Sequence, residues 1–366
     1  MHLLITTDAI GGVWTYTQEL VTGLIARGHR VTLVSFGRLP TPQQTAWMRA
    51  LPRLEFHPTE YRLEWMEVAE RDIEESRGYL ELLVREVQPD VLHFSQYCYG
   101  NLKVDVPRIV VAHSDVATWW VGVHGCEPEP SSWMRRYREH VMSGLHGAHL
   151  VVAPSQWMLN AVSQYYGELR DGRVIYNGRD PELFDPDHPK EEVAVSVGRV
   201  WDEGKYVASL LQQEQPLPIQ IVGWEQEPGR EKRQLPKCPA NVQLLGPKSQ
   251  TELREIYASA AIYVATSRYE PFGLAPLEAA LSRCALVMND IPIFHELWGE
   301  DALYFRKDDP ADLTRVLGEL RSNADLQREM GNRAMKRARQ RFAAARMVSE
   351  YESTYQQVAS SLEKVG

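Results

Sequence analysis

Glu270 and Glu278 stand eight residues apart in Glu270-Pro-Phe-Gly-Leu-Ala-Pro-Leu-Glu278, shortly after the apolar run 262–265. Proline has no N–H and is tolerated in the first turn of a helix. Pro276 therefore predicts a helix that begins around 273–275. The free N–H groups and the dipole at such an end suit an anion, and Gly273 lets a ligand approach the backbone closely. Glu270 falls on the loop ahead of the helix. Glu278 falls under one turn inside it, about 3 to 5 Å along the axis. A carboxylate beside an anion site needs hydroxyls to accept from, and an ionised one can take two charge-assisted bonds. Two acids around one phosphate-binding helix end therefore point to a sugar phosphate with hydroxyls on both sides. The plain alternative is a pair of solvated acids favoured by the dipole.

An anion also calls for cations, and Gly198-Arg199-Val-Trp-Asp-Glu-Gly-Lys205 follows another apolar run, 193–197. Arg199 offers a planar fork and Lys205 a point charge, a pair suited to phosphate oxygens that gain charge in a transition state. The alternative for each is a surface ion pair with Asp202 or Glu203, which would contribute little. Lys248 lies just beyond the run 242–245, where it borders a ligand or is simply exposed. In the first half, Gly11-Gly12 opens an amphipathic segment and could bring backbone N–H groups to a phosphate, Gly12 foremost. This is not a G-x-G-x-x-G dinucleotide fingerprint.

His113 ends the run 109–112, and in open parallel sheets ligands gather beyond the carboxyl ends of strands. A histidine there can donate to a sugar hydroxyl or a leaving oxygen. His93 has a similar position, with a structural or acceptor-rim role expected. Trp119-Trp120 could offer a flat face to an acceptor, although core packing is the commoner use of tryptophan. Arg135, Arg136, Arg138 and His140 lie on a predicted helix over 131–147; the acidity of the chain favours a solvated face over a membrane contact. Asp185-Pro-Asp187 has the form of a D-x-D metal motif, but it lies in a proline-rich linker, and no metal site is expected there.

These residues need elements to hold them. Short apolar runs at 3–6, 31–36, 54–57, 91–94, 109–112 and 150–153, then at 193–197, 219–222, 242–245, 262–265 and 285–288, alternate with helical segments such as 13–27, 66–87, 250–260 and 274–283. Strands of this length between helices predict parallel α/β sheets. Three prolines and many charges mark a seam over 178–192, after which the alternation restarts, so two Rossmann-like domains are expected. Further helices are predicted at 310–322, 324–341 and 343–364.

Glu270-Pro-Phe-Gly-Leu with Leu277-Glu278-Ala resembles the E-x7-E donor motif of the family 4 glycosyltransferases, retaining enzymes of the GT-B fold. The resemblance runs through the seam at Val174-Ile-Tyr-Asn177-Gly178 to the final helix after Arg341-Phe342. It implies an acceptor-side domain of residues 1–177 with a C-terminal helix of about 345–366 crossing back to it, a nucleotide-sugar domain of residues 178–344, and a cleft between them. It implies that Glu270 contacts hydroxyls of the transferred sugar, Glu278 the ribose, and the amides of Phe272, Gly273, Leu274 and Ala275 the diphosphate and sugar. Arg199 and Lys205 would clamp the diphosphate, although Lys205 stands one place later than in the family pattern. Lys248 would border the base, Gly12 the diphosphate, and His113 would assist catalysis. The function implied is retaining transfer of a hexose from a nucleoside-diphosphate sugar, UDP favoured, to a hydroxyl of a sugar or small aglycone. No separate cofactor or metal is implied. A nucleotide-sugar 2-epimerase and a non-catalytic nucleotide-sugar-binding protein remain as alternatives.

Bulk properties bound these readings. The 366 residues carry a net charge of -9, spread over both halves, so no half is a basic nucleic-acid module. Cys98, Cys126, Cys238 and Cys284 form no C-x-x-C pair, which speaks against a disulfide framework or zinc site. No run reaches the 18 or so apolar residues of a membrane span. The opening His2-Leu-Leu-Ile-Thr6 lacks the pattern of a cleaved signal, and a cytoplasmic location is expected.

Overall fold

The computed structural model describes residues 1–226 and 238–363. They divide into two compact units: Met1–Val121, Cys126–Gly178 and Ala344–Gly366 form the first, and Gly122–Gly125 with Arg179–Ala343 the second. Residues 364–366, the end of the predicted last helix, lie outside the described residues.

The first unit runs β1 (His2–Asp8), α1 (Gly11–Ala26), β2 (Arg30–Phe36), α2 (Pro42–Thr45), β3 (Leu54–Pro58), α3 (Glu70–Val87), β4 (Val91–Phe94), β5 (Arg108–Val111), α4 (Val116–His124, its last three residues belonging to the second unit), α5 (Ser132–Gly147), β6 (Leu150–Ala153), α6 (Gln156–Tyr166) and β7 (Gly172–Val174). Its seven strands lie in the order β3-β2-β1-β4-β5-β6-β7, and all the pairings are parallel. The strands read as near-continuous apolar runs because both faces are covered. Leu4 and Phe36 point into one buried cluster, while Leu3 and Ile5 point into the other.

The second unit continues with β8 (Glu191–Val197), β9 (Ile219–Val222), β10 (Val242–Gly246), α7 (Gln250–Ser259), β11 (Ala260–Ala265), α8 (Leu274–Leu281), β12 (Ala285–Asn289), α9 (Pro292–Trp298), β13 (Leu303–Phe305), α10 (Pro310–Ser322) and α11 (Ala324–Arg341). Its six strands lie in the order β10-β9-β8-β11-β12-β13, again all parallel. The final helix, α12 (Ala344–Glu363), belongs to the first unit. There Met347, Val348, Tyr351 and Tyr355 join the cluster that holds Tyr16 and Leu20 of α1. Gly23 permits this approach: a Cβ there would sit 2.5 Å from a methyl of Val348.

The order of each sheet decides where a ligand can lie. Strand order reverses between β1 and β4 in the first unit and between β8 and β11 in the second. Such switch points open a crevice beyond the strands' carboxyl ends, because the following helices depart to opposite faces. The loops after β8 and β11 are those of Arg199–Lys205 and Thr266–Glu270; the loop after β1 is that of Gly11-Gly12.

Several elements escape the sequence pattern. β7 and β13 have three residues each, too few for a period to show. The helices α2, α4, α6 and α9 fall outside the helical segments that the sequence pattern predicts. The strand expected over 109–112 is Arg108–Val111, so His113 stands two residues past its end rather than one.

Candidate functional site

In the second unit the loops after β8 and β11 are joined. Arg268 N–H donates to the Gly204 carbonyl at 2.9 Å, with Tyr269 N–H reaching the same oxygen at 3.3 Å. Thr266 Oγ1 donates to the Lys205 carbonyl at 2.9 Å, and the Arg268 guanidinium lies 3.5 Å from the centre of the Tyr206 ring. Buried Asn289 holds the start of the second loop, its amide donating to Ser267 O at 3.2 Å.

This stitching sets the Lys205 ammonium against the Glu270 carboxylate as a direct ion pair. Ser267 Oγ donates to the same oxygen at 3.3 Å. Lys205 and Glu270, 65 residues apart in the chain, are therefore neighbours at the switch point.

Gly273 precedes α8 with φ +91°, a left-handed conformation that a side chain disfavours. A Cβ would also press on Glu270 Cγ at 3.1 Å. The helix begins at Leu274, with no acidic residue in its first turn and no side-chain cap. Leu274 and Ala275 are thus its first two residues, and Pro276 the third. Phe272 is buried, its ring edge-on to Phe342 at 5.4 Å between centres. The phosphate-suited helix end lies immediately after the Lys205–Glu270 pair in the chain.

Arg199 is engaged differently. Its guanidinium grips Asp202, Nε to Oδ2 at 3.0 Å, and lies 5.1 Å from the Trp201 ring. Asp202 Oδ1 also accepts from the Gly204 N–H at 2.8 Å, so this acid shapes the loop. This is the ion pair with Asp202 that the sequence also allows, although the Arg199 side chain remains 45% exposed. Lys248 pairs with Glu252 at 3.2 Å one helical turn away, in a capping box at the start of α7. No described contact joins it to Lys205 or Glu270.

Glu278 differs most from expectation. It lies four residues beyond Leu274, about 6 Å along the axis, deeper than the 3 to 5 Å foreseen. It is 5% exposed, and its Oε1 lies 2.9 Å from Nε of Arg179, itself buried. Burial pushes the Glu278 carboxyl upward, and Arg179 and Arg254 pull it back. Removing one member of such a buried pair typically costs about 3–5 kcal/mol, because the other charge is left alone. Arg179 gives no signal of this in the sequence, because it lies in a stretch rich in proline and charge. Trp224, two residues past β9 and 56% exposed, gives no signal in the sequence either; its carbonyl accepts from the Val200 N–H at 2.9 Å.

In the first unit, Gly12 is exposed in the first turn of α1, which has no acidic residue and no side-chain cap. Asp8, at the end of β1, accepts from the Ile10 N–H at 2.8 Å, and burial pushes its carboxyl up to about 7. His113 is half-buried. Its Nε2 lies 3.4 Å from Ser95 Oγ, and the Tyr16 ring meets it edge-on at 4.6 Å. Burial pushes its imidazole down to about 3, so the ring is neutral near pH 7.

His93 is fully buried between Tyr355 Oη, 2.7 Å from Nδ1, and Tyr16 Oη, 3.3 Å from Nε2. Its place is structural, and it ties α12 to the sheet. Trp119 and Trp120 meet edge-on on α4, both half-buried. On α5, Arg136 pairs with Glu70 and Arg138 with Glu127. Among the described residues no group of three or more His, Cys, Asp or Glu could hold a metal ion, and no helix is long and apolar enough to cross a membrane.

Two family models match the chain in tandem: Glycosyltransferase Family 4 over residues 10–183 and Glycosyl transferases group 1 over residues 186–337. The O-antigen chain mannosyltransferase RfbU of Salmonella typhimurium is 29% identical over 143 residues, which is 37% of this chain and 40% of that protein. The alpha-maltose-1-phosphate synthase of Mycolicibacterium smegmatis is 24% identical over 306 residues, 73% of this chain and 76% of that protein. The chain thus spans well under half the length of the Salmonella relative. Among solved structures, the sucrose-phosphate synthase of Thermosynechococcus elongatus superposes with a TM-score of 0.80 at 16% identity, covering 99% of this chain and all of that one. Anabaena Alr3699/HepE in complex with UDP and glucose gives 0.73 at 15% identity, covering 98% of this chain and 100% of that one.

Proposed function

The chain belongs to the family 4 glycosyltransferases, and we propose that it transfers a hexose from a nucleoside-diphosphate sugar to a hydroxyl acceptor with retention of anomeric configuration. The observation that carries this reading is the Lys205–Glu270 pair set ahead of the N-terminus of α8. Mannosyltransferases among the curated relatives, and a structural neighbour holding UDP and glucose, support a hexose and a UDP-linked donor.

In this mechanism the diphosphate takes the place of Glu270 as the partner of Lys205. Phosphate oxygens compete well for an ammonium, and the freed carboxylate turns to hydroxyls of the transferred sugar. Arg199 leaves Asp202 for the second phosphate. The amides of Phe272 to Ala275 and the helix dipole meet the charge that grows as the C1–O bond breaks. These cations supply the charge that a metal ion would otherwise bring, so transfer proceeds without one. Glu278 accepts from the ribose, Lys248 borders the base, and Gly12 borders the diphosphate. Neutral His113 donates a hydrogen bond to a sugar or leaving-group oxygen. The acceptor hydroxyl attacks from the face the diphosphate leaves, and its proton passes to the departing phosphate.

The test begins with a thermal-shift screen against UDP, GDP, ADP and TDP, since a ligand that binds only the folded state raises the melting temperature by mass action. One nucleotide is expected to stand out. The matching nucleotide sugars are then incubated with sugar and aglycone acceptors, with and without EDTA, and followed by NMR. An α-linked product from an α-linked donor, unaffected by EDTA, is expected. An epimerised donor without transfer would establish the isomerase in its place.

A further inference from the structure

The ion pair of Arg179 with Glu278 plays no part in the chemistry so far, yet it is the most deeply buried charge contact described in the second unit, with side chains 3% and 6% exposed. Arg179 cannot swing freely. Its backbone N–H donates to the Phe342 carbonyl at 3.0 Å, as part of a parallel bridge with Ala343. Its Nη2 donates to Gln250 Oε1 at 3.3 Å, and its guanidinium faces the Phe184 ring at 5.6 Å. The bridge, α7 and Phe184 thus fix one end of the pair, and α8 carries the other.

We infer that Arg179 is a positioning residue for ribose recognition, orienting Glu278 by engaging Oε1 so that the carboxylate presents its remaining acceptor capacity to a ribose hydroxyl. The inference rests on the nucleotide-sugar reading above. A carboxylate this deep in the protein would favour its neutral form if left alone. The neutral form carries an O–H and is a weaker acceptor, so it discriminates poorly between a ribose that offers two vicinal hydroxyls and one that offers fewer. The guanidinium supplies, with Arg254, charge that favours the ionised form of Glu278, and it supplies the direction that keeps the carboxylate aimed. Arg is suited to this over Lys because its rigid fork sets a plane, whereas an ammonium sets only a distance.

Calorimetry on the full chain with UDP and 2′-deoxy-UDP tests it (or with GDP or ADP and its 2′-deoxy form, should that nucleotide bind more tightly). Wild type should prefer the ribonucleotide by about tenfold, the effect of one charge-assisted hydrogen bond. In Arg179→Met the preference should fall below about twofold, while affinity for the 2′-deoxy nucleotide changes by less than that. A general loosening of the unit would instead weaken both nucleotides alike, and that result overturns the inference. So does an undiminished preference in Arg179→Met, or no preference in wild type. Should the Met variant not fold, Arg179→Lys keeps the charge and loses the fork; its preference should drop at least about threefold, and an unchanged value overturns the inference. If wild type binds none of the nucleoside diphosphates, the nucleotide-sugar reading itself has failed, an outcome distinct from these.

Discussion

The two units place their switch-point loops alike and furnish them in opposite ways. In the second unit charges meet: Lys205 with Glu270, Arg199 with Asp202, Arg179 with Glu278. In the first, neutral rings pack beside the switch point. His93 lies between two tyrosine hydroxyls, and His113 packs against the edge of Tyr16. Burial holds both imidazoles far below their ordinary range, at about 3. The difference follows from what each side has to hold under the proposed function. A diphosphate demands mobile cations that can exchange a protein carboxylate for a phosphate oxygen. A hydroxyl acceptor carries no such charge and does not call for one.

The sharpest way to break this comparison is Glu270→Ala. Transfer should fall by about a thousandfold, the upper range for losing one group aimed at the transition state, while free UDP binds within about threefold of wild type because the nucleotide does not need this carboxylate. Steady-state nucleotide release and calorimetry measure the two. Wild-type turnover would remove Glu270 from the chemistry.

A second test addresses the neutral side. A histidine whose folded value lies below its unfolded 6.5 stabilises the protein above pH 6.5 and loses that contribution as pH falls toward 3, because the unfolded chain then binds the extra proton. The melting temperature should therefore drop by a few degrees between pH 7 and pH 5. In His93→Gln the drop should be shallower. Equal slopes would mean that the ring at 93 is not held neutral.

The smallest effects separate the two cations that the structure pairs with neighbours. Arg199→Ala should weaken UDP binding about fivefold, as expected for a charge-assisted contact. Lys248→Ala should change it less than about twofold, since its partner is an exposed acid one turn away. If Arg199→Ala also stays under twofold, its guanidinium serves only Asp202.

Much of the backbone geometry around the proposed donor-side site was legible because it is local. Pro276 and Gly273 bear on backbone geometry within a few residues of themselves, and α8 begins inside the predicted window. The spacing that joined Glu270 to Glu278 was visible for the same reason, although it misjudged the depth of Glu278. What stayed hidden was non-local or short. Arg179 and Glu278 are 99 residues apart, and nothing in a stretch rich in proline and charge announces that one of its arginines is buried. β7 and β13 have too few side chains to display a period. His93 and His113 look alike in sequence, each at the end of an apolar run; only the arrival of Tyr355 from α12 makes one a sealed structural group.

Backbone constraints and the alternation of apolar runs were enough to specify two parallel α/β sheets and the start of α8. These depend on steric rules that act over a few residues. The partner of each charge was settled only by folding. Strand order brought Lys205 to Glu270, and burial matched Arg179 to Glu278. An isolated charge is costly away from water, and which opposite charge offsets that cost depends on what the sheets bring within reach.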